Sequence, residues 1–206
     1  MGGGVINGDK TINATSAVKR AQIFIAKGDA PWYSDEHWND KSHIVSIDKS
    51  VHGQATVTCD GKVTSMNFMF YNCVYLTSLD FSNFDTSNVT VMSNAFANCS
   101  KLTTIDVSNF DTSKVLYMYG MFEDCYNLTK LDLSSFNTSK VTHFHNMFYH
   151  CYNLTTIKGI IDMKSCKYYD YMFTNCSKLR DIKIKNPPSD FESKTGLSSS
   201  QYTIVS

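Results

Sequence analysis

CVYLTSLDFSNFDTSNVTVMSNAFAN, residues 73–98, is one copy of a repeat that fills most of the second half of this chain. The spacing from Cys73 to Cys99 is 26 residues (99−73), and three separate columns of residues keep nearly the same register. The columns are Cys73, Cys99, Cys125, Cys151 and Cys176; Leu76, Leu102, Leu128, Leu154 and Leu179; and Phe70, Phe96, Phe122, Phe148 and Phe173. Self-similarity with a period of about 20–50 residues indicates a repeat architecture.

Each copy contains two hydrophobic periods in succession. In residues 76–81 the apolar positions end in an alternation that is typical of a strand. In residues 89–99 the apolar positions are spaced by three, four and three, which is typical of a short helix. Asp85-Thr86-Ser87 precedes this segment and supplies a candidate N-cap. The sequence therefore predicts an α/β fold: a leucine-rich-repeat-like β/α solenoid with a parallel sheet on one wall and short helices on the other.

The stretch LTSLDFSNFDTSNVTVM, residues 76–92, and its copies resemble the BspA-like leucine-rich repeats of bacterial surface proteins. Similar repeats occur in Gram-positive bacteria, mycoplasmas and their phages, and the resemblance covers about residues 57–185. It implies adhesion or recognition without catalysis, at the cell surface or outside the cell. Residues 1–8 lack the charged start and the apolar region of a secretory signal. We therefore expect either a mature or excised piece of an exported protein or, as the alternative location, a virion.

The repeat divides the chain into three parts. Residues 1–56 do not keep the pattern and are expected to form an N-terminal cap or an attachment segment. Residues 57–185 hold about five units, and residues 186–206 form a C-terminal cap or a linker with a candidate strand at Tyr202–Val205. The fourth full unit is one residue short at residues 157–161, and Lys164 stands where the preceding copy has Ser139, so we expect a local bend or a weaker cap there.

Composition excludes several classes of function. The formal net charge is zero, which gives no electrostatic argument for binding nucleic acid. No apolar run approaches the roughly 18 residues that a membrane span needs, so membrane insertion is not expected. No catalytic motif is present, so we expect neither an enzyme nor a cofactor. Composition leaves the oligomeric state open.

Five of the seven cysteines share one repeat column with core residues. A buried free cysteine behaves as a small hydrophobic residue, which favours reduced thiols, with disulfides as the alternative.

Two outward-facing groups are candidates for binding. The first flanks the methionine column of the middle copies and is aromatic: Tyr117, Tyr119, His143, His145 and Tyr168. The second lies between the strand residues and is acidic, Asp80, Asp106 and Asp132, and it is followed by Lys158 and Lys183. Exposed aromatic clusters often mark interaction sites, whereas solvated charge is the simpler interpretation of the acidic group. His143 and His145 are two residues apart and do not share a helix face, so no metal site is expected.

The sequence therefore predicts a non-enzymatic recognition or adhesion module of a bacterial surface protein, with a protein or glycan on a cell surface as its partner. Two alternatives stay open. One is a phage tail or head-fibre protein that binds a receptor or other virion proteins, and the other is a passive structural spacer.

Overall fold

The structure, a computed structural model, describes residues 22–31 and 33–206. Its first four strands are β1 (Gln22–Gly28), β2 (Ile44–Asp48), β3 (Gln54–Cys59) and β4 (Leu76–Phe84). They form the largest sheet, in the order β2-β3-β1-β4, and every pairing in it is antiparallel. A short 3-10 helix, Asn39–His43, precedes β2. The described part of the residues before the repeat is therefore joined by a sheet to the first complete copy.

The later strands are short: β5 (Lys130–Asp132), β6 (Thr156–Lys158), β7 (Ile160–Asp162), β8 (Ile182–Lys185) and β9 (Tyr202–Val205). β5 and β6 form one parallel pair, and β7, β8 and β9 form a separate parallel sheet. The α-helix α1 (Phe191–Thr195) and a 3-10 helix, Ser199–Gln201, lie between β8 and β9. The strand expected at Tyr202–Val205 is confirmed.

The segment with helical spacing, residues 89–99, is not a helix but a series of turns. Within it, the Ala95 amide donates to the Met92 carbonyl, three residues back, at 3.3 Å. The Phe96 amide donates instead to the Met121 carbonyl of the next copy, at 2.9 Å. Alternate amides thus leave the segment and join neighbouring copies.

Left-handed residues recur at two positions in each copy and explain why no helix forms. An α-helix needs right-handed backbone throughout, and a left-handed residue ends it. Among the non-glycine members φ lies between 51° and 67°: Phe68, Asn72, Asn94, Asn98, Asp124, Asn146, His150, Tyr171 and Asn175. Asparagine and aspartate tolerate this backbone better than most residues, which accounts for their recurrence.

The predicted fold class is therefore wrong. The α/β solenoid required one parallel sheet along one wall and short helices along the other. The largest sheet is antiparallel, and the parallel strands are split between two small sheets. Within the described residues, the segments expected to be helical are turns, and the one α-helix lies after the repeats.

The columns of the repeat nevertheless form the core, as their apolar character predicts. All five members of the Leu76 column are fully buried, and so are those of the Phe70 column. Rings of the Phe70 column stack face to face, with neighbouring centroids 5.3–5.8 Å apart. Stacked and offset rings of this kind add to the free energy of burial.

The cysteine column is reduced and hydrogen-bonded. The Cys99 thiol donates to the Phe70 carbonyl at 3.2 Å, and the Cys125 thiol donates to the Phe96 carbonyl at 3.1 Å. Cys151 and Cys176 repeat this contact, and all seven cysteines are free thiols. Burial raises the pKa of the Cys125 thiol to about 12. These four thiols thus fill small core spaces while each donates a hydrogen bond to the preceding copy.

A buried threonine column also binds neighbouring copies. The Thr86 hydroxyl accepts a hydrogen bond from the Asp111 amide at 2.8 Å and donates to the Asp111 carbonyl at 3.2 Å. Thr112 and Thr138 repeat these two bonds with the next copies. The adjoining Asp85 carboxylate accepts the Ser87 amide at 2.8 Å, so the predicted cap exists but it caps a turn.

Both ends of the repeat region are covered. At the first end, Trp38 is buried and its indole N–H donates to the Ser65 carbonyl at 2.9 Å. At the other end, the Phe173 amide donates to the Thr195 carbonyl at 2.8 Å, where the next copy would otherwise supply the acceptor. The expected boundary between residues 56 and 57 falls inside β3. Residues 1–21 and Trp32, which belong to the expected N-terminal segment, lie outside the described residues.

Candidate functional site

The five aromatic residues singled out from the sequence lie on neighbouring copies and touch one another. Parallel bridges join Tyr117 to His143 and His143 to Tyr168, so the backbone itself sets their spacing. Tyr119 and His145 lie two residues after Tyr117 and His143 in their own copies. We call these five residues the aromatic patch.

Ring contacts run through the whole aromatic patch. The His143 ring lies 5.0 Å from that of Tyr117, 4.5 Å from that of Tyr168 and 6.0 Å from that of His145, measured between centroids. Tyr119 and His145 stack with centroids 4.8 Å apart and planes within 5°. Each ring contacts another ring, and the backbone of each of these residues is bridged or hydrogen-bonded to a neighbouring copy. The patch therefore loses less conformational entropy on binding than isolated side chains would.

Exposure differs across the aromatic patch. Tyr117 and Tyr168 are 37% and 52% exposed, whereas the other three side chains are half-buried. Burial and then the nearby Lys167 lower the pKa of His143. Burial and then His143 lower the pKa of His145. Both imidazoles are therefore neutral at pH 7, and the patch offers flat rings with polar edges rather than a positive charge.

The acidic residues Asp80, Asp106 and Asp132 are exposed, but each has a structural task. Each carboxylate accepts the amide of the serine two residues later, at 2.8, 2.9 and 3.0 Å respectively. Hydrogen bonds from Ser108 lower the pKa of Asp106, and those from Ser82 and Ser134 lower the pKa of Asp80 and Asp132. Their described contacts therefore hold turns and do not connect them with the aromatic patch.

The lysines that follow this column do not simply continue it. Lys158 is in register with Asp132, and its ammonium lies 3.8 Å from that carboxylate. Lys183 is in register with Ile160 instead, because β6 and β7 are separate strands on either side of Gly159. The change from acidic to basic residues thus occurs within the β5–β6 pair, one residue before the break between the two parallel sheets.

A cleft of about 650 Å³ lies at this break. It is lined by Ser134, Phe136, residues 156–160, Asp181 and Lys183, and we call it the Gly159 cleft. Sequence reasoning placed a local bend there but identified no site. The sequence did contain a signal for this cleft, namely the missing residue in the fourth copy. A deletion next to a strand removes a side chain that the other copies have at the same position.

A second pair of stacked rings lies outside the aromatic patch. Tyr126 and Tyr152 are exposed and stack with centroids 5.7 Å apart. The His150 ring lies 5.3 Å from the Tyr152 ring, and its Nδ1 is 2.9 Å from the Asp124 carboxylate. Asp124 and His150 share the left-handed position before the cysteine, so only the repeat register reveals that they meet.

No group of three or more histidine, cysteine, aspartate or glutamate side chains within residues 22–31 and 33–206 is arranged to hold a metal ion. No helix in the described part of the chain has the length and apolarity that crossing a membrane requires.

Comparison with protein families gives one match. The family described as "Mycoplasma protein of unknown function, DUF285" matches residues 64–186, which is more than half of the chain. No curated protein and no solved structure matches.

Proposed function

Because this chain belongs to the DUF285 family, whose function is unknown, we propose its role from its surface: a non-enzymatic recognition module that binds a protein or glycan on a cell surface through the aromatic patch. The resemblance of residues 57–185 to BspA-like repeats of surface proteins supports the adhesive role and the extracellular location. That this chain belongs to the BspA-like group is part of this proposal.

The observation that carries the proposal is the continuity of the ring contacts. Five side chains from three copies form one connected surface, with His143 in contact with three other rings. Tyrosine provides a large contact area with few rotatable bonds, and it combines an apolar ring with a hydroxyl group. Such residues dominate the energy of many interfaces.

The repeat explains how the surface is built. Val91 and Ser65 occupy the bridge position of the preceding copies, where Tyr117, His143 and Tyr168 stand later. A change of side chain at this position leaves the hydrogen bonds of the turns intact, because those bonds use backbone atoms. The fold thus supports a ligand-specific surface without any alteration of the core.

The test is retention of the protein on whole cells and on arrays of cell-surface glycans. The variant carries Tyr117→Ser, Tyr119→Ser and His145→Ser, and the matched control carries Tyr75→Ser. Tyr75 is also exposed, but its ring is outside the aromatic patch and contacts Lys101. We expect retention to fall at least about tenfold in the triple variant, since each lost aromatic anchor typically costs 1 kcal/mol or more.

Unchanged retention of a folded triple variant removes the proposal. Folding is checked by the thermal unfolding midpoint of each variant. An equal loss in Tyr75→Ser would show that binding does not depend on the patch.

A further inference from the structure

We propose that the Gly159 cleft binds a sugar ring that bears a carboxylate, as a terminal acidic residue of a glycan. The proposal rests on the proposed recognition function for the source of the ligand, because a surface glycan supplies such a sugar. The geometry is independent of the aromatic patch, since no residue is shared between the two.

The backbone at Gly159 gives the site its shape. Gly159 has a φ of +97°, and a Cβ atom there would lie 2.7 Å from the carbonyl carbon and oxygen of Leu133. The fourth copy therefore runs close to the backbone of the third and has no side chain at this position. β6 and β7 lie on either side of Gly159 and belong to different sheets, and the cleft beside them has a volume of about 650 Å³. Small-ligand sites typically have volumes of about 300–1,000 Å³.

The charged side chains that line the Gly159 cleft are mainly basic. Lys158 and Lys183 both line the Gly159 cleft, and Asp181 is the one carboxylate in its described lining. Outside the lining, Asp132 lies 3.8 Å from the Lys158 ammonium, with both side chains largely exposed. The Arg180 guanidinium is turned back onto the carbonyls of Ser177 and Leu179. The lining itself thus carries two ammonium groups and one carboxylate, and an anionic ligand at Lys158 would compete only with the exposed Asp132 carboxylate.

The lining of the Gly159 cleft combines apolar and polar side chains. Ile160 is 45% exposed and lies in register with Lys183, and Phe136 contributes to the wall. A sugar ring has apolar C–H faces that pack on such side chains. Its hydroxyl groups need hydrogen-bond partners, and Ser134, Thr156 and Asp181 offer acceptors and donors in the same cleft. A carboxylated peptide end would use the lysines and Asp181, but its backbone has no ring with apolar C–H faces to pack on Ile160 and Phe136.

The paired strands fix the backbone from which these side chains extend. The Leu133 amide donates to the Lys158 carbonyl at 2.9 Å, and β7 pairs with β8 from Ile160 to Asp162. A site on paired strands loses little entropy when a ligand binds.

The test is calorimetric titration of the full chain with N-acetylneuraminic acid and with glucuronic acid, each at millimolar concentrations. N-acetylglucosamine serves as the neutral sugar, and an N-acetylated tripeptide with a free C-terminus serves as the peptide probe. We expect one of the two acids to bind, with an affinity that falls as salt is added, and to bind more tightly than either comparison probe. The acid that binds identifies the sugar class.

Lys158→Met and Lys183→Met are each expected to weaken binding of the acid about tenfold, because a hydrogen-bonded charge is lost. Lys140→Met is the matched control, since Lys140 is exposed and lies outside the cleft, and it should bind as the unaltered chain does. Methionine keeps the length of the side chain, so folding is expected to survive.

Three results would overturn the proposal: no binding of either acid, equal binding of the neutral sugar, or tighter binding of the tripeptide. The triple variant of the aromatic patch separates the two proposals. If it loses cell retention but still binds the acid, the cleft is an independent site. If it keeps cell retention while the lysine variants lose acid binding, the cleft proposal stands and the aromatic patch proposal fails.

Discussion

The side chain of Gln22 forms two hydrogen bonds with the backbone of Val63, in the manner of a strand pair. Its Oε1 accepts the Val63 amide at 2.8 Å, and its Nε2 donates to the Val63 carbonyl at 2.9 Å. The same Nε2 donates to the Asp85 carbonyl at 3.0 Å, and Gln22 is only 2% exposed. One buried amide thus joins the N-terminal sheet to two successive copies of the repeat.

Replacement of the Gln22 side chain should lower the free energy of unfolding. Gln22→Ala leaves the Val63 amide without its partner in a buried site, and an unsatisfied buried group costs about 1–3 kcal/mol. We expect the free energy of unfolding, measured with urea, to fall by about that amount. Gln54→Ala, on the adjacent strand β3, is the control and should change stability by less than about 1 kcal/mol. Equal effects of the two substitutions would contradict the role given to Gln22.

The backbone at Gly159 should reject any side chain. Gly159→Ala combines a φ of +97° with a Cβ only 2.7 Å from Leu133 backbone atoms, so two penalties apply. Gly53→Ala is the matched control, because its φ is +68° and no atom lies within 4 Å of the added carbon. Backbone strain of this kind costs about 1–3 kcal/mol, and we expect Gly159→Ala to exceed the control by a further 1 kcal/mol or more. Thermal unfolding measures both, and a control that is the more destabilised would refute the close approach.

The cysteine thiols should react slowly with thiol reagents in the folded protein. Six of the cysteines are buried and Cys166 is half-buried, and burial raises the pKa of Cys73 and Cys166 to about 12. Because the thiolate is the reactive form, a thiol reagent at pH 8 should modify at most Cys166 at an appreciable rate. After unfolding, seven thiols should react with or without prior reduction. A lower number without reductant would mean that disulfides exist.

The carboxylate of Asp106 should make stability depend on acid pH. Hydrogen bonds from Ser108 hold its pKa below the ordinary value of 3.8, so the folded state releases this proton more readily than the unfolded chain. The resulting stabilisation is present above pH 3.8 and is lost as the pH falls through the lowered pKa. Asp106→Asn keeps an oxygen for the Ser108 amide but removes the titration. We expect the stability of the two proteins to converge below pH 3.8 in urea unfolding, and parallel curves down to pH 2 would contradict the assignment.

The sequence was most informative about which residues are buried. Leu76, Phe70 and Cys73 head three columns, and their burial follows from composition and register alone. The aromatic patch could be grouped for the same reason, because Tyr117 and His143 hold equivalent positions in consecutive copies. Whether the patch binds a ligand stays a prediction.

The apolar periodicity of residues 89–99 led to a wrong prediction because a helix and a series of turns share the same spacing. Apolar residues at intervals of three, four and three fit a helix, but they fit consecutive turns equally well when the turns repeat every four residues. The decisive residues are Asn94 and Asn98, whose left-handed backbone cannot be inferred from the apolar pattern. The antiparallel pairing of β1 with β4 could not be predicted from the sequence either. The order of strands in a sheet depends on contacts between distant segments.

The bonds between neighbouring copies have an evolutionary consequence. Thr86 binds Asp111 as Thr112 binds Asn137, so each copy offers the same donors and acceptors to the one after it. A duplication in the gene that spans one whole period would insert a unit already fitted on both sides. The residues that cover each end, Trp38 and Thr195, would meet unchanged neighbours. Length in such a lineage can therefore vary by recombination alone, without new mutations to repair a junction.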